Sequence, residues 1–195
     1  MDFKIEQLSN DHANMVSDFS CVESKEELAK FNSATRRRII RHSREMDCFL
    51  KNEALEEQEK GLNTTHLFID KNKNKLIGYL SLCADSVRLD FTEKDELGFS
   101  YLTIPAIKIA RLAVSNKYKH QGFGKLLIDY SANISAELLG KIGTAFITLD
   151  CYEHRVSYYE KYGFVKNTIQ PIELEYDSPI SMRVLIYDYL EQCDE

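Results

Sequence analysis

At 195 residues, 44% of them hydrophobic and 29% charged, the chain can bury a core without disulfide or metal staples and suits one domain spanning 1–195. The formal net charge of −6 excludes the broad electrostatic footprint of a nucleic-acid binder, though not a local basic patch. Five scattered cysteines, Cys21, Cys48, Cys83, Cys151 and Cys193, lack C-x-x-C or Cys/His ligand spacing, which points to free thiols in a reducing compartment and to no metal site.

The opening MDFKIEQLSNDH carries no apolar leader, and no apolar run is long enough to cross a bilayer. A cytoplasmic protein without membrane association is expected. Phe3 to Leu8 sets Phe, Ile and Leu among polar neighbours and predicts a strand, after which Ser9-Asn10-Asp11 offers helix caps. The region 21–62 reads as helical: from Lys25 it is rich in Glu, Lys, Leu and Ala and free of Gly and Pro until Gly61, which suits a residue just past a helix end. Two or three helices fit this length, with Phe49, Leu50 and Leu55 as inward contacts. Within it, Arg37, Arg41 and Arg44 would share a helix face while Ile39 points away. That face suits a phosphate or RNA contact, or a solvated surface balanced by nearby Glu.

TTHLFID (Thr64 to Asp70) and KLIGYLSLCAD (Lys75 to Asp85) predict a hairpin across a polar turn. Arg88 to Tyr101 predicts a loop or short helix that could cover part of a substrate opening. Ile107 to Val114 alternates apolar and polar residues as a strand does, and Ser115 to Gln121 is polar and basic. Gly122-Phe123-Gly124 follows, and from Lys125 the apolar spacing becomes helical, with Leu126, Leu127, Tyr130, Ile134 and Leu138 on one stripe. A strand, a glycine-containing basic turn and a helix start make an anion site from helix N–H groups, the helix dipole and glycines that admit a phosphate. Lys117, Lys119, His120 and Lys125 add charge. A glycine pair in a turn also has the plainer reading of turn geometry alone.

Thr144 to Asp150 predicts a buried strand, followed by a helix through Tyr162 that stops at Gly163. Phe164-Val165 leads to a further strand, and Ser181 to Tyr187 forms another. The fold class is mixed α/β, with helices covering a largely antiparallel sheet that contains one parallel pair.

Leu112-Ala113-Val114, Lys119-His120-Gln121-Gly122-Phe123-Gly124 and Ser157 to Phe164 together resemble the GNAT (Gcn5-related) N-acetyltransferases, over roughly residues 64–188. The family's diphosphate loop has the form Q/R-x-x-G-x-G/A, and Lys119 in the first position is a departure that keeps the glycine spacing. The resemblance implies acetyl-CoA as co-substrate, without a metal. It implies that the diphosphate is held by Lys119, His120, Gln121, Gly122, Phe123, Gly124 and Lys125. It also implies a splayed parallel strand pair, with pantetheine pairing along the backbone of Leu112, Ala113 and Val114 and the Val114 N–H aimed at the thioester oxygen. Tyr159 matches the family's general acid. The alternatives are an ordinary ladder bond for Val114 and aromatic packing of Tyr158, Tyr159 and Tyr162. For a general base, Asp150, His66 and His154 are candidates beside structural roles, and Tyr152 stands where many members place a CoA-contacting Asn.

The resulting expectation is an acetyl-CoA-dependent N-acetyltransferase acting on a primary amine. Gly78 to Leu82, Ile104-Pro105 and Ala110 to Val114 also resemble acetyltransferase toxins that modify aminoacyl-tRNA, so tRNA is the alternative acceptor, with Arg36 to Arg44 as its RNA contact. The acidic net charge argues against nucleic acid and would suit a cationic peptide. A non-catalytic acyl-CoA-binding module is the remaining alternative, and a homodimer is left open.

Overall fold

The computed structural model describes residues 2–170 and 178–194. The chain opens with β1 (Phe3–Gln7). Ser9 then donates its N–H to His12 Nδ1 at 3.1 Å, starting a 3-10 turn that leads into α1 (Ala13–Ser17). The helical region resolves into α2 (Lys25–Leu28), α3 (Ser33–Asn52) and α4 (Ala54–Glu59). Polar caps set two of these starts, because Ser24 accepts from the Glu27 N–H and Asn32 from the Thr35 N–H. Gly61, at φ +72°, closes the region as a residue past a helix end should. On α3, Ile39 is buried while Arg37, Arg41 and Arg44 are exposed, as the helical spacing predicts.

The hairpin of β2 (Thr64–Asp70) and β3 (Lys75–Arg88) is antiparallel and closes at Asp70↔Lys75, with Asn74 in the left-handed region at φ +48°. Asp90 and Glu93 then exchange reciprocal bonds of 2.8 and 3.2 Å, a capping box that makes the next segment a helix, α5 (Phe91–Glu96). β4 (Thr103–Val114) starts earlier than its alternation predicts. It is followed by a 3-10 turn over Asn116–Tyr118 and by α6 (Phe123–Leu139). Then come β5 (Phe146–Cys151), α7 (Glu153–Glu160), β6 (Val165–Lys166), β7 (Ile180–Leu185) and α8 (Ile186–Asp194).

The strands hydrogen-bond in the order β1-β2-β3-β4-β5-β7-β6. β4 and β5 pair in parallel, from Ala106↔Phe146 to Ile109↔Leu149, and β4 runs on beyond that last pair to Val114. This is the mixed α/β architecture the residue patterns predict.

By internal contacts the chain forms two units, Met1–Leu82 with Arg111–Ile128 and Cys83–Ala110 with Asp129–Glu195. In the first, Phe19, Phe49, Leu50, Leu67, Ile69 and Tyr79 form a buried cluster. Tyr79 satisfies its buried hydroxyl by donating to the Met46 carbonyl at 2.9 Å. In the second, Val87, Leu89, Ile104, Ala106 and Phe146 cluster with Phe99 packed against them.

Two expectations need correction. The deeply buried face of α6 is Leu127, Ile128, Ser131, Ala132 and Ser135, whereas Leu126, Tyr130, Ile134 and Leu138 are only half-buried. Small residues admit close packing, and Ser135 satisfies its hydroxyl by donating to the Ser131 carbonyl at 2.8 Å, so polarity does not bar it from the interior. The last strand ends at Leu185, and the chain turns helical at Ile186, whose N–H still bonds the Ala145 carbonyl at 3.0 Å. Cys21, Cys48, Cys83 and Cys151 are free thiols; the Cys193 side chain lies outside the described residues. No helix among the described residues is long and apolar enough to cross a membrane.

Candidate functional site

In the first unit, β4 ends on Leu112, Ala113 and Val114, with Ala113 buried and its two neighbours half-buried. Gly78 of β3 lies against this backbone. A Cβ on Gly78 would stand 2.7 Å from the Ala113 carbonyl oxygen and 3.3 Å from Val114 Cα. The β2–β3 register shifts between Phe68 and Ile69, opposite Gly78 and Leu76, so a bulge and the missing side chain together let the strands approach. Gly78→Ala must therefore displace residues 113–114. We expect a loss of about 2 kcal/mol in denaturant unfolding, the usual range for overpacking, and weaker acetyl-CoA binding measured in the same preparation.

Past Val114 the chain bends sharply. The Ser115 N–H bonds the Ile77 carbonyl at 2.8 Å, and Tyr118 closes the 3-10 turn. Lys119 is extended, His120 has φ +60° and Gly122 φ +85°, and the helix begins at Phe123. The first N–H groups of a helix have no partner within it, and they form the positive end of its dipole. Gly122 is in open space, with nothing within 4 Å of where a Cβ would lie. Its glycine is needed for the left-handed turn. Gln121 is tied back by donating to the Lys117 carbonyl at 3.2 Å.

The charges of this turn are arranged differently from what the basic sequence suggests. The Lys119 ammonium donates to the Cys21 carbonyl at 2.5 Å and pairs with Glu23 at 2.9 Å, both side chains being largely buried. His120 pairs with Glu27. The segment before α3 thus sets carboxylates against Lys119 and His120, two of the four basic side chains the sequence offers here, beside the backbone N–H groups of the helix start. Behind the turn, Tyr118 donates to Asp70 at 2.9 Å. Asp70, Glu23 and Glu27 have no local sequence signal, since they meet the turn from at least 48 residues away.

In the second unit, Tyr159 sits on α7 with its ring edge-on to Tyr158 at 5.2 Å and to Phe164 at 5.8 Å. The residue keeps some exposed surface while its phenol end is buried. That burial pushes the phenol up to about 12, with Cys151 adding to the shift and Arg155 opposing it. The hydroxyl is therefore a protonated donor throughout the neutral range. Tyr158 is raised as well, by burial and then by Tyr162.

The base candidates separate. Asp150 is paired with Lys108 at 2.6 Å. His154 stacks on Tyr152 at 6.3 Å with the rings nearly parallel. His66, in the first unit, has its pKa lowered by burial, which keeps the imidazole neutral and able to accept a proton. Among the described residues no group of His, Cys, Asp or Glu is placed to hold a metal ion.

A family model described as acetyltransferase (GNAT) domain matches residues 22–176. Solved structures similar to the chain include a point mutant of KacT, at 14% identity and TM-score 0.72, covering 98% of this chain and 99% of that one. AtaT complexed with acetyl-methionyl-tRNAfMet matches at 17% identity and TM-score 0.70, over 100% of both chains. A mutant AtaT toxin bound to the C-terminus of the antitoxin AtaR and acetyl-CoA matches at 16% and 0.63, again over 100% of both. At such identities these likenesses concern the fold.

Proposed function

The chain belongs to the acetyltransferase (GNAT) domain family and is an acyltransferase, and from that premise we propose that it transfers an acetyl group from acetyl-CoA to a primary amine by direct attack on the thioester. The turn from β4 to α6 is the observation that carries this reading. Two left-handed residues lead into a helix start there, which is the geometry a diphosphate needs. Residues 119–125 receive the diphosphate, through the backbone N–H groups of the helix start and the charge of Lys125. The backbone of Leu112, Ala113 and Val114 pairs the pantetheine as an added strand, and the Val114 N–H supports the thioester oxygen as it gains charge.

In the reaction the amine nitrogen bonds to the carbonyl carbon, the C–S bond breaks, the amine gives up a proton, and the departing thiolate takes one from Tyr159. His66, held neutral, fits the role of proton acceptor better than Asp150, whose carboxylate is already paired. The test is acetyl-CoA consumption with peptides, polyamines and charged tRNA as acceptors. Turnover with at least one amine is expected. Affinity for CoA with no acyl transfer to any of them would instead assign a non-catalytic acyl-CoA-binding module.

A second reading makes aminoacyl-tRNA the acceptor. It is supported by the match to tRNA-bound AtaT along the whole of both chains, and by Arg37, Arg41 and Arg44, which line a groove of about 500 Å³ on α3 with Ile40, Cys48 and Glu45, the last paired with Arg41 at 3.7 Å. Converting Arg37 and Arg44 to Glu should then suppress acetylation of charged tRNA and spare that of small amines. Equal turnover of tRNA by the variant and the parent would remove α3 from the reading.

A further inference from the structure

We propose that Asp70 and Tyr118 form a buried latch that positions the diphosphate turn, a role that rests on the reading of residues 119–125 as the site of that diphosphate.

The need for a latch arises in the backbone. His120 carries a Cβ yet lies at φ +60°, two residues before Gly122 at φ +85°. A conformation that side chains disfavour persists only where neighbours impose it. The turn is bracketed by Tyr118 and Phe123, which are 4% and 8% exposed, and their rings meet edge-on at 6.0 Å. Its two ends are therefore packed on each other.

The Tyr118 hydroxyl is in turn fixed by one group. It donates to Asp70 Oδ2 at 2.9 Å, while Asp70 Oδ1 accepts the Asn72 and Lys73 N–H groups at 2.9 and 3.1 Å. Asp70 is 1% exposed, at the end of β2. The Lys73 ammonium lies 3.9 Å from Oδ2 and 5.5 Å from the centre of the Tyr118 ring. One carboxylate thus fastens the turn to the β2–β3 corner, with one oxygen for each.

The latch stays set across the neutral range. Burial works to raise the Asp70 pKa, but the bonds from Tyr118, Lys73 and Asn72 outweigh it and hold the carboxyl below its ordinary value. Burial, then the bond to Asp70, pushes the Tyr118 phenol up to about 12. A neutral phenol donating to a carboxylate is a charge-assisted bond, stronger than one between neutral groups.

The backbone N–H groups of the turn take their aim from the torsions at residues 120–122. Loosening Tyr118 removes none of these donors and redirects them. The cost falls on the diphosphate end of the co-substrate and spares the thioester end. That separation distinguishes positioning from a general loss of structure.

The experiment compares acetyl-CoA with S-acetylpantetheine, a thioester that lacks the nucleotide and its diphosphate. The parent enzyme should show a clearly lower KM for acetyl-CoA. Tyr118→Phe should raise the acetyl-CoA KM about tenfold, the scale of one charge-assisted bond, with kcat and the kcat/KM for S-acetylpantetheine within about twofold of the parent. An unchanged acetyl-CoA KM, or an equal loss on both thioesters, would overturn the latch. Thermal unfolding is recorded alongside; if Tyr118→Phe does not stay folded at the assay temperature, Asp70→Asn, which keeps an oxygen for the Asn72 and Lys73 N–H groups, is judged by the same criteria. A parent enzyme with no preference for acetyl-CoA over S-acetylpantetheine would overturn the diphosphate reading itself, and the latch with it.

Discussion

Gly122→Glu is expected to abolish acetyl-CoA binding in calorimetry while the protein remains folded. Steric room is not the obstacle, because nothing lies within 4 Å of a Cβ at this position. Two other costs act. At φ +85° a residue with a Cβ is disfavoured by about 1–2 kcal/mol, and a carboxylate would stand beside the diphosphate at a helix start. Two unit charges about 4 Å apart near a protein surface repel by about 4 kcal/mol. Gly122→Ala isolates the first cost and should weaken binding about tenfold, since 1.4 kcal/mol is a factor of ten. Glu should weaken it by a further factor of about a hundred or more. Equal affinities for the two variants would mean that no anion is bound there, and parental affinity in the Glu variant would remove the site from this turn.

Tyr159→Phe should lower kcat by about a hundredfold, the low end for general acid catalysis, and leave the Kd for acetyl-CoA unchanged. Phenylalanine keeps the edge-on contacts with Tyr158 and Phe164, so packing is preserved and the hydroxyl alone is tested. With the phenol pushed up to about 12, its ionisation should produce no alkaline fall in kcat up to about pH 10. The same shift bears on stability. The folded state favours the neutral phenol, so its contribution is complete below the ordinary tyrosine value near 10 and is lost as pH rises from there toward 12. A kcat equal to the parent's would make Tyr159 a packing residue only.

Most element types were legible because their causes are local. Gly61 and Gly163 mark helix ends, Asn74 turns the hairpin, and Asp90 with Glu93 boxes the start of α5. The buried face of α6 is not legible from apolar spacing, because counting apolar residues overlooks buried serines, whose hydroxyls can be satisfied within the helix itself. Helix α8 is not legible because Val184 to Tyr187 is apolar throughout, with no local mark at the change from strand to helix. The β4–α6 turn follows from its own residues, but the pairing of its charges does not, since Glu23 and Glu27 lie far upstream.

The order of residues by itself determined that a strand, a left-handed glycine turn and a helix start follow one another at 107–127, because backbone torsion and helix-end hydrogen bonding depend on only a few neighbouring positions. Only the tertiary structure decided which groups hold that turn: Asp70 behind it, and Glu23 and Glu27 beside Lys119 and His120. Hydrogen bonds and ion pairs act over a few ångströms of space, whatever the length of chain between the partners, so these contacts existed only once the chain had folded.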